Sequence, residues 1–349
     1  MPNVDLHRLN SVLGRASEAL VFSDHSTALR GVLVIETTRG STAIGGTRFM
    51  PYPSVTSALT EMGEFAQAVT YKGVLSGLPC GGAKGAIIGD PETLKSDKLL
   101  RAFGRFVQSL GGRYTLTPDW GMSPNDLAIV ASECEFVTGI SGGTEVLTAL
   151  GVVEGIKAAN IACGNTISLA GLRIGVEGLG MAGPDLIGLL IDEGAIVTAA
   201  DSDAALRARI AAQYPNVKLL DSTAALQASD LDVYCPCAGS GSLTSDLADS
   251  KKLRIVCGAA NGQLANPAVE QAFVDRGVLY VPEFAANGGG LVYCFEETIG
   301  FDHERANKRI KSISSTVVEI LNRARHEDRL PTSVALQVAE ERLAASEFR

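Results

Sequence analysis

Arg173-Ile-Gly-Val-Glu-Gly-Leu-Gly-Met-Ala-Gly183, running through a helical stretch to Ala195-Ile-Val-Thr-Ala-Ala-Asp201, is the segment whose reading decides the fold. It reads as an apolar strand, a Gly178-x-Gly180-x-x-Gly183 turn, a helix, a second strand and an acid at that strand's end. The first glycine makes the tight turn. The second lets the backbone approach a pyrophosphate, and the third lets helix and strand pack closely. The helix start, Met181-Ala182-Gly183, turns free N–H groups towards the phosphates. Asp201 stands 23 residues after Gly178 (201 − 178), where a carboxylate holds the adenosine ribose hydroxyls. It would repel a 2′-phosphate, and no arginine follows before Arg207, so the pattern favours NAD over NADP.

Outward from this unit, strands and helices alternate. Lys218–Leu220, Val233–Tyr234, Ile255–Cys257 and Leu279–Val281 read as further strands, which predicts a parallel, doubly wound sheet. Upstream, 31–37 and 86–88 are strand-like, while 55–69 and 99–110 have helical apolar spacing. Ser141-Gly-Gly-Thr144 interrupts the chain before a helical stretch over 145–162. Asp302–Arg323 and Ser333–Ala345 read as amphipathic helices. The expected fold class is α/β with two lobes and a cleft between them. Residues 1–145 are expected to form an N-terminal α/β domain. Residues 146–324 are expected to form a Rossmann dinucleotide-binding domain, with a C-terminal helix over about 325–349 returning to the first lobe.

Composition narrows the function classes. With 349 residues and 46% apolar content the chain buries a sizeable core. A net charge of −9 with no Lys/Arg run argues against a nucleic-acid surface. No apolar run has membrane-spanning length, and Met1–His7 lacks the regions of a signal peptide. Seven scattered cysteines and four unclustered histidines predict reduced thiols, a cytoplasmic protein and no metal.

Three polar residues of the first half stand in odd surroundings. Lys72 lies in Val69-Thr-Tyr-Lys-Gly-Val, Lys84 in Cys80-Gly-Gly-Ala-Lys-Gly-Ala, and Asp119 in Thr117-Pro-Asp-Trp-Gly. Glycine, proline and apolar residues surround each, not other charges. A lysine so placed is expected to be partly desolvated and able to act as a base. For either lysine alone, snorkelling to the surface is the plainer alternative.

Gly45-Gly-Thr-Arg48, Thr70-Tyr-Lys72, Gly81-Gly-Ala-Lys84, Pro118-Asp119 and the 178–183 glycine motif occur in this order. Pro236-Cys-Ala238, Gly258-Ala-Ala-Asn261 and Asn287-Gly-Gly-Gly290 follow. Together they resemble the glutamate/leucine/phenylalanine/valine dehydrogenase superfamily over roughly residues 30–300, most nearly its short leucine, phenylalanine and tryptophan dehydrogenases. The resemblance implies reversible oxidative deamination of an L-amino acid to its 2-oxo acid and ammonia with NAD, by a homo-oligomer. It makes 1–145 the substrate-binding, catalytic and oligomerisation domain, and it gives Lys72 the substrate carboxylate, Lys84 the activation of water for attack on the imine, and Asp119 the protons of the amino nitrogen. It sets Thr148 beside the nicotinamide amide and Asn261 at the nicotinamide ribose. The same motifs put Cys237, Ala238 and Asn287 along the cofactor and Gly45 at the substrate. The side-chain pocket it implies is Ile44, Val69, Leu291 and Cys294, all uncharged, which favours an apolar or aromatic substrate over glutamate.

Four positions depart from the family's pattern. Gly262 follows Asn261 where many phenylalanine and tryptophan relatives have a second asparagine. Glu283 follows Pro282 where Asp is usual. Trp120 replaces a small aliphatic residue, and Val69 replaces a methionine. Trp120 is open to two readings, a ring facing the substrate or a core filler. These departures keep an unusual biosynthetic amino acid or amine open as substrate. A non-catalytic NAD-binding regulator is disfavoured by the presence of Lys84 and Asp119. Glu61, Glu64 and Asp126 are expected on solvated helix faces, and Cys80 and Cys257 as small apolar fillers.

Overall fold

The computed structural model describes residues 6–38, 42–250 and 252–347. Met1–Asp5, on which most of the reading against a signal peptide rests, lie outside the described residues, as do the last two residues of the expected C-terminal helix. The chain divides into two compact units. The first runs to Gly143 and includes Leu291–Asp302; the second is Thr144–Gly290 with the chain from His303 onward.

The first unit is built on a five-stranded mixed sheet. Its strands are β1 (Glu18–Asp24), β2 (Leu29–Ile35), β3 (Ala43–Met50), β4 (Gly81–Ile88) and β5 (Tyr114–Thr117), in the order β1-β2-β4-β3-β5. β1 and β4 each pair antiparallel with β2, while β3 pairs parallel with β4 and β5. Period-2 alternation sorts the side chains of β4. Ala83 and Ile87 enter a core with Phe103, Val107 and Leu127, under the helices Asp97–Ser109 and Pro124–Ala131. Ala86 and Ile88 enter the opposite core with Ala58, Met62 and Ala66 of the helix Val55–Leu75. Lys84 shares this second face by parity. Ser54 and Ser57 start that helix with a capping box, and Gly82 lets it lie close on the sheet. A Cβ at Gly82 would strike the backbone of Ala66 and Thr70.

The second unit carries six parallel strands. These are β6 (Arg173–Glu177), β7 (Ile196–Ala200), β8 (Lys218–Leu220), β9 (Val233–Pro236), β10 (Ile255–Val256) and β11 (Leu279–Tyr280), in the order β11-β10-β9-β6-β7-β8. All five pairings are parallel. The strand order reverses between β6 and β9, the switch point where doubly wound sheets take ligands beyond their carboxyl ends.

The C-terminal helix Pro331–Glu347 belongs to the second unit, contrary to the expectation that it returns to the first. The chain reverses at Asp328 (φ 51°), and the helix packs back on His303–Glu327. Arg342 donates to Thr316 and Glu319, Arg323 to Glu341, and the Thr332 N–H to Glu270. The segment that does return is Leu291–Asp302. The Gly139 N–H donates to Glu297 at 2.6 Å there.

Candidate active site

In the first unit the sheet gathers the charged residues. Gly46 and Arg48 of β3 and Lys84 of β4 share the face under the helix Val55–Leu75, and Asp119 follows β5. Lys84 Nζ is ion-paired with Asp119 Oδ2, with side-chain exposures of 14% and 13%. Room for the pair depends on Gly46, where a Cβ would strike the Asp119 side chain and the Pro118 carbonyl. Asp119 Oδ1 accepts the Trp120 N–H at 2.7 Å and lies 3.5 Å from Arg48 Nε. Arg48 is in turn paired with Glu61 at 2.8 Å and sits over the Phe65 ring at 4.2 Å. Burial pushes the Asp119 carboxyl up, but Lys84, the Trp120 amide and Arg48 together hold it below its ordinary value.

Two sequence expectations change here. Lys84 and Asp119 are not isolated from other charges; they are each other's partner, because β4 and β5 flank β3 and no linear window shows that. Asp126 is not a solvated carboxylate, and Glu61, with its side chain 36% exposed, is solvated but engaged. Glu61 holds Arg48, while Asp126 is 6% exposed, closes a capping box with Ser123 and pairs with Lys95 at 2.9 Å. The Ser-x-x-Asp spacing over 123–126 was the legible signal for the cap. The run Gly45-Gly-Thr-Arg48 by itself points to no role for Arg48; only its contacts with Glu61 and Asp119 do.

Lys72 lies half-buried in the last turn of Val55–Leu75. Leu291 packs over Gly73 of the same helix, within 3.5 Å of where a Cβ would stand, and Val69 is one turn earlier. Cys294 is 3% exposed and lies beside Gly139, next to Pro118. Ile44 is wholly buried in β3, next to Gly45, and Gly45 lies against Ala83 of β4. Trp120 is 72% exposed, so it is no core filler.

In the second unit the glycine motif sits at the switch point. Gly178 has φ +95°, and a Cβ there would strike the backbone of Cys237 and Ala238. A Cβ at Gly183 would meet the Gly178 carbonyl, whereas Gly180 has open space. The helix Ala182–Asp192 starts at an exposed Met181 with no side-chain cap, so its first amides are left for an anion. Asp201 accepts the N–H groups of Leu179 at 2.8 Å and Asp203 at 2.9 Å. Thr148 donates to the Thr144 carbonyl at 2.7 Å, near Gly290. Asn261 and Asn287 are hydrogen-bonded to each other at 3.0 Å. Uncapped amides, open space at the second glycine and an acid at the end of β7 fit a dinucleotide.

Residues 19–136 match the family model described as Glu/Leu/Phe/Val dehydrogenase, dimerisation domain, and residues 206–348 match that of Glutamate/Leucine/Phenylalanine/Valine dehydrogenase. The chain belongs to this family. It is 37% identical over 352 residues to valine dehydrogenase of Streptomyces coelicolor, covering 99% of this chain and 97% of that protein. It is 33% identical over 334 residues to leucine dehydrogenase of Bacillus subtilis, covering 93% and 91%. The crystal structure of L-tryptophan dehydrogenase from Nostoc punctiforme superposes with a TM-score of 0.86 at 29% identity, over 99% of this chain and all of that one. As a member of the Glu/Leu/Phe/Val dehydrogenases the protein is an oxidoreductase acting on amino acids, with an NAD(P) cofactor. No helix among the described residues is long and apolar enough to cross a membrane.

Proposed function

We propose that this dehydrogenase uses NAD to deaminate an apolar L-amino acid, branched aliphatic or aromatic, to its 2-oxo acid and ammonia, and catalyses the reverse reductive amination. The observation that carries the reading is the Lys84–Asp119 pair, shielded between sheet and helix. Lys72 binds the substrate carboxylate, a task for a fixed cation. Asp119 takes and returns the protons of the amino nitrogen. Lys84 acts as the base that activates water for attack on the substrate imine, and its contact with Asp119 gives the proton a path between the two. Bound NAD supplies the hydride acceptor. Gly178, Gly180, Met181, Ala182 and Gly183 hold its pyrophosphate, Asp201 its adenosine ribose, and Thr148, Cys237, Ala238, Asn261 and Asn287 its nicotinamide end.

Ile44, Val69, Leu291 and Cys294 line the side-chain pocket beside Gly45. Burying a charged substrate side chain against them is costly. Arg48, a further cation on the same face as Lys84, is held by Glu61 and Asp119 and so is not offered to a second carboxylate. The valine, leucine and tryptophan dehydrogenases among the relatives support the same class. The protein works as a cytoplasmic homo-oligomer.

A panel of L-amino acids with NAD or NADP, followed by reduced-nicotinamide absorbance, tests the proposal. The best of valine, leucine, phenylalanine and tryptophan is expected to exceed glutamate and aspartate at least tenfold in kcat/KM, about 1.4 kcal/mol. NAD is expected to outperform NADP, with the preference narrowed in Asp201→Ala. Glutamate as best substrate would overturn the pocket assignment, and equal use of NADP would overturn the role of Asp201.

A further inference from the structure

Gly262 and Glu283, two positions singled out in the sequence, meet in the structure. Beyond β10 the chain folds into a loop over 258–263. Gln263, wholly buried, donates its Nε2 to the carbonyls of Gly258 and Ala260, both at 3.0 Å, so the loop is wrapped around its own side chain. Gly262 takes the left-handed conformation, φ +60°. Its carbonyl accepts the Gly241 N–H at 2.8 Å, and its own N–H donates to Glu283 Oε1 at 2.9 Å. The other carboxylate oxygen, Oε2, accepts the Tyr280 hydroxyl at 2.8 Å.

Asn261, immediately before, is exposed but tethered. Its carbonyl accepts the Ser240 hydroxyl at 3.1 Å. Its Oδ1 accepts from Asn287 Nδ2, which also donates to the Ala259 carbonyl, both at 3.0 Å. Asn287 is 4% exposed and therefore a fixed anchor. These bonds orient the Asn261 side chain only while the backbone on its C-terminal side stays in place, and that side is Gly262. Glycine is the residue with most freedom to leave a set conformation. The Glu283 carboxylate removes that freedom with a charge-assisted bond, and Tyr280 fixes the carboxylate.

We propose that Glu283 is a positioning residue for the dinucleotide, acting through a latch on the Gly262 amide that holds Asn261 in place. The proposal rests on the reading of Asn261 as a residue at the nicotinamide ribose. Side-chain length is the deciding property. Aspartate at 283 would withdraw the carboxylate by about one C–C bond, ~1.5 Å, and carry a 2.9 Å contact beyond hydrogen-bond reach. Glutamine keeps the length and one carbonyl acceptor.

The test compares wild type with Glu283→Ala, Glu283→Asp and Glu283→Gln in two measurements. The first is amide hydrogen exchange of the peptide containing Gly262, in the protein without cofactor. The second is NADH affinity by fluorescence titration, with thermal melting as a check on folding. Exchange at Gly262 is expected to speed up at least tenfold in the Ala and Asp variants and to stay near wild type in Gln. The NADH Kd is expected to rise about tenfold in the first two and to be largely rescued in Gln. Unchanged exchange in all three variants would overturn the latch. Faster exchange with unchanged NADH affinity would overturn the positioning role and leave the proposed reaction standing. Failure of the wild-type protein to bind NADH would overturn both, while exchange would still report whether the contact exists.

Discussion

Burial on its own would raise the Asp119 carboxyl; Lys84, then the Trp120 amide, then Arg48 outweigh it, and the group sits below its ordinary value of 3.8. A carboxyl depressed in the folded state stabilises the fold above its unfolded pKa, because there the unfolded chain has lost the proton too and the folded pair keeps its attraction. That contribution is lost as pH falls below about 3.8 and through the lower folded value. Asp119→Asn is therefore expected to flatten the acid limb of stability below about pH 4 relative to wild type, measured by denaturant titration at several pH values. An acid limb of unchanged slope would contradict the depressed carboxyl. Lys84 and Asp119 were legible as candidates, since each sits in a short run of glycine, proline and apolar residues and in a motif of the resemblance; their pairing was not, because it needs β4 and β5 to flank β3. Arg48 and Glu61 were not, because 13 residues of strand end, turn and helix separate them and only the packing of Val55–Leu75 on β3 joins them.

At the element scale the glycines of the 178–183 motif differ in what a Cβ would meet. Gly178→Ala is expected to destabilise the second unit by about 1–3 kcal/mol, because φ +95° is strained for alanine and its Cβ would strike Cys237 and Ala238. Gly180→Ala meets nothing within 4 Å. It is expected to leave the unfolding midpoint within about 0.5 kcal/mol of wild type and to weaken NADH binding about tenfold, ~1.4 kcal/mol. Calorimetry on both variants separates these effects; a Gly180→Ala protein that binds NADH normally would remove the pyrophosphate from this loop. The parallel strands of the second unit were legible because they are apolar runs bounded by helices. β1, β3 and β5 were not. β3 holds Gly45-Gly46 and β4 opens on Gly81-Gly82, residues of low strand propensity, used where Ala83, Asp119 and the helix backbone approach closely. β1 lies at the sheet edge, paired with β2 alone among the described residues, and its exposed Val21 and Ala19 weaken the signal.

Across the whole molecule, the charged pair and the glycine loop belong to different compact units. The boundary near Gly143 was legible from Ser141-Gly-Gly-Thr144, a break before a long helix. The return of Leu291–Asp302 was not, since the helix Gly289–Thr298 continues unbroken over the point where the chain changes units. The C-terminal helix misled because its amphipathic pattern says that one face is buried without saying against what. The proposed mechanism leads to a kinetic prediction. On that proposal Lys84→Ala removes a base from the first unit and leaves every residue of the 178–183 glycine motif untouched. Loss of a general acid–base group typically costs about 10²–10⁴-fold in rate. In this variant kcat for deamination is expected to fall by that order while the NADH Kd stays within about twofold of wild type. Lys84→Ala also deprives Asp119 of its strongest attraction, so residual activity is expected to titrate at higher pH than the wild-type acid limb. Fluorescence titration with NADH and steady-state rates across pH measure the two effects on one preparation. Near-wild-type turnover would remove Lys84 from the chemistry. A matching collapse of NADH affinity would mean that the variant fails by losing its fold, not its base, and Lys84→Gln, of similar length, would then carry the test.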